Sequence, residues 1–353
     1  MRSSPQASEG LLGLSEAVQR WENEGGAAEG DRGVPLRLDF EIHPLPPFRL
    51  DLCAWALRRR SVNIVDRWDG VSYRRAFSLT EGPVGCTVRA MGGRNDSTLD
   101  VTLLGGLLGE RVEEDVRTRL ESMLGTEIDL SGFYAMASAD DAIDLLVERF
   151  RGLKPPRFPT IFEGLLNAVA CQQLSLEAGL SVLNRLATTY GSAASADQVA
   201  LHAFPRPQDL AGLEPEVLRR LGFSIRKSAT IIEVARAVVE GRLDLEGLEG
   251  FEDAEVVARL TSFGGIGRWS AEYVLLRGLG RLHVFPGDDV GARNNLARWL
   301  GLDSPLDHAG VQRAVSRWQP YAGMVYFHLL LERLNVGGIS VTSASRVLPR
   351  PDT

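Results

Sequence analysis

Two short stretches carry residue types whose spacing suits chemistry. Ser262-Phe-Gly-Gly-Ile-Gly-Arg-Trp-Ser-Ala-Glu-Tyr273 reads as a glycine hairpin opening a helix, and Gly287-Asp-Asp-Val290 follows it. Gly264, Gly265 and Gly267 allow positive φ and close backbone approach, and Ser270-Ala271 begin a periodic apolar run. Such a turn aims free backbone N–H groups outward at the positive end of a helix dipole, a natural phosphate site. The second stretch sets two carboxylates just downstream. A phosphate anchor with an acid beside it points to an enzyme that works on nucleic acid.

These residues need elements to hold them. Periodic apolar positions predict helices at about 252–262 and 268–279 on either side of the hairpin, and one at 289–300 carrying Ala292, Leu296 and Leu300. Acidic pairs at loop-to-helix junctions commonly serve as N-caps. Asp289 would open its helix and be held rigid by doing so, which makes it the catalytic candidate; Asp288 reads as a cap or loop residue. Trp269 and Tyr273 lie one helical turn apart, so both can face one cleft. Gln172-Gln173 sit between helices expected at 161–171 and 176–190, the second ending at Gly191. Further helices are expected at about 214–222, 226–240, 307–317 and 321–334, and after Pro159 strand signals fade and helical periodicity dominates.

Upstream the texture differs. Residues 1–36, rich in Gly, Glu, Ala and Ser, read as a disordered arm. Residues 37–150 read as an α+β domain with a small antiparallel sheet. Its expected elements are a helix at 50–60, strands at 62–65, 71–79, 85–90 and 99–104, a helix at 110–124, and one at 140–150 capped by Ser138. Lys154-Pro-Pro-Arg-Phe-Pro159 marks a boundary, residues 151–335 a mainly helical domain, and residues 336–353 a tail without a clear element.

Composition sets limits. At 353 residues, 44% hydrophobic and 24% charged, the chain has the make-up of a soluble globular protein of two or three domains. Cys53, Cys86 and Cys171 form no C-x-x-C pair, which argues against zinc or a cysteine-held cluster and for a reducing cytosol. No signal peptide or membrane span is evident, so a cytoplasmic protein is expected. The net charge of −7 counts against a nucleic-acid binder, but residues 258–301 hold six arginines against three acids. His283 and His328 show no partner pattern and read as structural. Arg226-Lys227 read as a solvated face.

At this level of detail the chain resembles the helix-hairpin-helix, Gly/Pro…Asp superfamily of base-excision DNA glycosylases, in particular the bacterial 3-methyladenine DNA glycosylase II branch. The resemblance covers roughly residues 37–334 and rests on Phe263–Tyr273 and Val284–Asp289. Looser matches are Pro46-Pro-Phe48, Tyr73-Arg-Arg75, Cys171-Gln-Gln-Leu-Ser175, Leu221–Ser228 and Arg317-Trp-Gln-Pro320. It implies a small antiparallel-sheet domain on a helical glycosylase domain, with the helix-hairpin-helix at about 252–279. Asp289 then stabilises positive charge on the deoxyribose as an alkylated purine such as 3-methyladenine leaves. Trp269, Tyr273, Val290 and Leu330 line the base pocket, Gln173 is the wedge that fills the gap left by the flipped nucleotide, and Gly265, Gly267 and Arg268 hold phosphate.

Bifunctional relatives carry a lysine nucleophile two residues after the last hairpin glycine. Here that residue is Trp269, which implies a monofunctional enzyme without lyase activity. Val290 and Leu330 stand where the alkylation enzymes have aromatic rings, so a glycosylase for an oxidised or deaminated purine is the alternative. A non-catalytic lesion-binding protein is a third reading. The expected partner is damaged double-stranded DNA, bound by a monomer without a membrane. No side chains point to a cofactor; the resemblance allows a monovalent cation on the hairpin carbonyls.

Overall fold

The computed structural model describes residues 36–334. The arm expected over 1–36, apart from Leu36, and the tail over 336–353 lie outside the described residues. The chain begins with β1 (Leu36–Ile42), α1 (Leu50–Arg58), β2 (Arg67–Trp68), β3 (Ser72–Leu79), β4 (Gly82–Met91) and β5 (Thr98–Gly105). The five strands form one antiparallel sheet in the order β1-β5-β4-β3-β2. Register puts Phe40, Val101 and Val88 abreast, and Cys86 beside Leu103. Strand alternation thereby gives one continuous apolar face. Against it pack α2 (Glu110–Leu124), α3 (Ser131–Ser138) and α4 (Asp144–Arg149). On α2 the buried residues Val112, Val116, Leu120 and Met123–Leu124 recur at helical spacing, and Gly125 ends the helix at φ 62°.

The remaining elements are mainly helical: α5 (Ile161–Cys171), α6 (Leu176–Tyr190), β6 (Ala193–Ala196), β7 (Val199–His202), α7 (Pro207–Leu210), α8 (Pro215–Arg220), α9 (Ile225–Val239), α10 (Asp253–Thr261), α11 (Arg268–Arg277), α12 (Val290–Trp299), α13 (His308–Val315) and α14 (Ala322–Arg333). One apolar core joins α5, α6, α9, α10 and α11. The core under the sheet also takes in Phe285, Leu296, Val311, Trp318, Phe327 and Leu331 from far along the chain. Helix α11 is shared: Ala271, Val274 and Leu275 enter the helical core and Leu276 the sheet core, so it is buried nearly all round.

Three local expectations are corrected. Residues 62–65 are not a strand, because the Asn63 carboxamide oxygen accepts the N–H groups of Val65 and Asp66 and curls the chain into a turn. Ser138 ends α3 instead of capping a helix, and Asp140 holds the following turn through Ala142 N. Strands do occur after Pro159: β6 and β7 form a hairpin through Asp197 and Gln198 at φ 46° and 64°. It packs so tightly on the sheet that a Cβ on Gly85 would meet the Ser195 carbonyl oxygen at 1.9 Å.

The sheet and the helical core are also joined by buried charge. Arg75 of β3 bonds Asp66 at 2.6 Å and Glu163 of α5, and the Tyr73 hydroxyl donates to Asp66 at 2.6 Å. Burial opposes ionisation of Asp66, yet Arg75 and Tyr73 hold its carboxyl below the usual range.

Candidate active site

The hairpin lies between α10 and α11, and its glycines divide the work. Gly265 is the one at positive φ (95°), and a Cβ there would meet the Thr230 hydroxyl at 2.1 Å. Gly264 and Gly267 have ordinary backbone, and a Cβ on either would stand in open space, so only Gly265 of the three uses the freedom of positive φ. Packing does not require glycine at 264 or 267. Their bareness leaves the backbone open to an approaching group. Gly267 caps α11 without a side-chain acceptor, so no side chain covers the first N–H groups of that helix.

Three struts fix the hairpin from behind. The Thr230 hydroxyl of α9 lies 2.7 Å from the Gly264 carbonyl oxygen. The Gln172 amide donates to the Gly265 carbonyl and to Ser270 Oγ, both at 3.0 Å. Lys227 Nζ donates to the carbonyls of Ala170 (2.8 Å) and Gln172 (2.6 Å) at the end of α5, where a cation suits the helix dipole. Lys227 is thus part of this brace, not of a solvated face. Between these struts Gln173 is exposed at φ 54°, followed by exposed Leu174. A non-glycine residue in the left-handed region at a loop tip is a local cost tolerated because its neighbours are pinned.

The acidic pair separates sharply by partner. Asp288 accepts from Arg268 Nε at 2.9 Å and Nη2 at 2.7 Å, so the start of α11 is bolted to the acidic loop. Asp289 is the N-cap of α12: its Oδ1 accepts from Ala292 N at 2.9 Å and its Oδ2 from the Tyr326 hydroxyl at 3.3 Å. Among the described residues no cation lies within ion-pair distance of Asp289. Its carboxylate is held by neutral donors alone, without a counter-ion. Burial, and then the Asp289 charge, push the Tyr326 hydroxyl well above the usual tyrosine range, so it stays a donor.

Beside this loop stands an aromatic wall. The Trp269 and Tyr273 rings are 5.8 Å apart at 43°, and Phe158 continues the row 6.1 Å from Tyr273. Trp269 is partly buried and its indole N–H has no partner among the described residues. Behind the wall, the Tyr273 hydroxyl accepts from Arg59 at 3.3 Å and Arg277 at 3.4 Å. Both guanidinium groups are buried; Arg59 also donates to Asn167 at 2.6 Å and Arg277 to the Ala56 carbonyl at 2.9 Å. Val290 is 58% exposed at the loop end, and Leu330 is half-buried one turn after Tyr326. Sequence reasoning missed Arg59, Phe158 and Tyr326. Only Tyr326 left a signal, its one-turn spacing from Leu330.

Charge is distributed unevenly. In the sheet layer Arg37, Arg49, Arg74, Arg89, Arg117 and Arg119 are all ion-paired. Arg219, Arg220 and Arg226, on α8 and α9, are exposed and make no ion pair among the described residues. They are exposed positive charge within an acidic chain. His283 pairs with Asp253 at 2.5 Å and His328 is buried among Phe133 and Phe150. No group of three or more His, Cys, Asp or Glu side chains could hold a metal, and no helix is long and apolar enough to cross a membrane, among the described residues.

Comparison with known proteins places this geometry. Residues 166–320 match the HhH-GPD superfamily base excision DNA repair protein family. The DNA-3-methyladenine glycosylase of Bacillus subtilis is 30% identical over 222 residues, 62% of this chain and 73% of that protein. DNA-3-methyladenine glycosylase 2 of Escherichia coli is 27% identical over 290 residues, 82% of this chain and 96% of the relative. Among solved structures, the 3-methyladenine DNA-glycosylase from Archaeoglobus fulgidus superposes with a TM-score of 0.73 at 26% identity, covering 83% of this chain and 97% of that one. The chain with this hairpin and this uncompensated carboxylate belongs to the HhH-GPD superfamily of base excision DNA repair proteins.

Proposed function

We propose that the protein is a monofunctional DNA glycosylase that removes alkylated purines such as 3-methyladenine from duplex DNA. The observation that carries this reading is the state of Asp289: a rigid carboxylate, fixed by Ala292 N–H and Tyr326, with Arg268 diverted to Asp288. As the bond from base to sugar breaks, positive charge grows on the deoxyribose. A carboxylate without a counter-ion stabilises that charge at no reorganisation cost and can orient the water that replaces the base. The open N–H groups at Gly265, Gly267 and Arg268 hold the DNA backbone, Gln173 enters the duplex, and the extruded base stacks on Trp269 and Tyr273 beside Val290 and Leu330.

The lysines support the monofunctional reading. The sequence holds two, Lys154 and Lys227, and each Nζ donates to backbone carbonyls. The hairpin carbonyls of Gly264 and Gly265 already accept from Thr230 and Gln172, so a monovalent cation there would share those oxygens.

A second reading is a glycosylase for oxidised or deaminated purines. The buried Arg59 and Arg277 at the Tyr273 hydroxyl favour it, because their charge opposes the attraction of aromatic rings for a cationic methylated base. The test is release from duplexes carrying single defined lesions, by wild type and Asp289→Asn. Asparagine keeps the helix cap and removes the charge. Methylpurine release slowed on the order of 100-fold or more, with DNA binding retained, is the expected result. Release of only neutral oxidised or deaminated bases would select the second reading, and an unaffected rate would remove Asp289 from the chemistry.

A further inference from the structure

The loop that delivers Asp289 is gripped by the carboxylate of Glu272. Glu272 lies on α11 between Trp269 and Tyr273, with its side chain 12% exposed. Its Oε2 accepts the backbone N–H of Gly287 at 3.1 Å, two residues before Asp289. Its Oε1 meets His308 Nε2 of α13 at 3.1 Å and lies 3.8 Å from Arg268 Nε. Gly287 is pressed against the same histidine: a Cβ there would meet His308 Cδ2 at 2.7 Å and Nε2 at 3.1 Å. Gln312, also on α13, donates to the Phe285 carbonyl at 3.3 Å. The loop from Phe285 to Asp289 is therefore clamped between α11 and α13, with Glu272 as the group that touches both.

We propose that Glu272 is a positioning residue for Asp289, transmitting the place of the base pocket to the place of the reacting carboxylate. The proposal rests on Asp289 being the reacting group. One helix sets both sides of the cleft. Trp269 and Tyr273 fix where a base stacks, and Glu272, from the same turns, fixes the Gly287 N–H and so the start of the Asp-Asp turn. The same side chain also meets His308, the surface on which Gly287 rests, so both contacts act on the loop together. An error of about 1 Å in a reacting group can cost on the order of 100-fold in rate, so small slack in this loop is enough to matter.

The experiment compares Glu272→Ala, Glu272→Gln and Asp289→Asn with wild type. The probe is duplex DNA treated with a methylating agent, read as single-turnover base release, with binding measured on a duplex carrying an abasic-site analogue. Hydrogen exchange is followed at residues 284–290. Glu272→Ala is expected to slow release about 10- to 100-fold with DNA affinity within about twofold, and to speed exchange at residues 284–290. Glu272→Gln, which keeps an acceptor for Gly287, should restore the rate to within about threefold. Weakened affinity in proportion to rate would reduce Glu272 to a folding role and overturn the proposal. So would wild-type release by Glu272→Ala while Asp289→Asn is slow. If Asp289→Asn releases base at the wild-type rate, the reading of Asp289 fails instead, and is told apart by that.

Discussion

The side-chain amide of Gln172 donates to the carbonyl of Gly265 across 93 positions of sequence, at 3.0 Å. This bond, with its companion to Ser270, makes the loop bearing Gln173 and the glycine hairpin one rigid piece. Under the proposed function, the hairpin that would grip the DNA backbone and the Gln173 that would enter the duplex share one mount. Gln172→Ala should lower stability by about 1–2 kcal/mol, the loss of two partly buried hydrogen bonds. It should also weaken binding to duplex DNA on the order of tenfold. Thermal unfolding and DNA titration check this, and unchanged affinity at reduced stability would show that the two tools act separately.

The hairpin glycines should respond in opposite ways. Gly265→Ala forces a Cβ onto Thr230 at a positive φ and is expected to destabilise by more than about 1 kcal/mol. Gly267→Ala meets open space at φ −102° and should leave stability within about 0.5 kcal/mol. If Gly267→Ala nevertheless weakens DNA binding, the methyl group is standing where phosphate goes. Equal loss of stability in both variants would contradict this division.

Incubation with abasic-site duplex and borohydride should trap no covalent adduct. Lys227 is the lysine near the pocket, and its ammonium is engaged by the Ala170 and Gln172 carbonyls. A trapped species lost on Lys227→Arg would show that this amine leaves its carbonyls and attacks the sugar.

His328 predicts a pH signature of stability. It is fully buried, its Nδ1 bonds the Met324 carbonyl, and burial lowers its pKa from 6.5 to about 4. The unfolded chain takes up the proton first, so this contribution is complete above pH 6.5 and is lost as pH falls towards 4. The stability difference between wild type and His328→Phe should shrink by on the order of 3 kcal/mol across that window. Denaturant titrations at several pH values measure it; a constant difference would mean that the ring is hydrated.

The legible part of this protein was the part with strong local signals. The hairpin, α11 and the cap at Asp289 follow from glycine chemistry and helical periodicity within a few residues. Val62–Val65 has strand-like composition, but one Asn63 side chain diverts it into a turn. The hairpin at residues 193–202 escaped notice for the opposite reason. Its first strand is alanine-rich and weak in β propensity, and small residues are what close packing on Gly85 demands. The pocket's polar back wall was beyond sequence reading, since Arg59, Asn167, Tyr273 and Arg277 meet only after α1, α5 and α11 have packed.

The sheet core that is completed by α14 has a consequence for biosynthesis. A nascent chain can form its sheet and lay α2, α3 and α4 on it early, but the core beneath stays incomplete until Phe327 and Leu331 leave the ribosome, almost the last described residues to do so. The same helix brings Tyr326 to Asp289. Synthesis that stops short of α14 therefore yields a product with part of its apolar core uncovered and Asp289 without its Tyr326 partner, which hands it to chaperones and proteases.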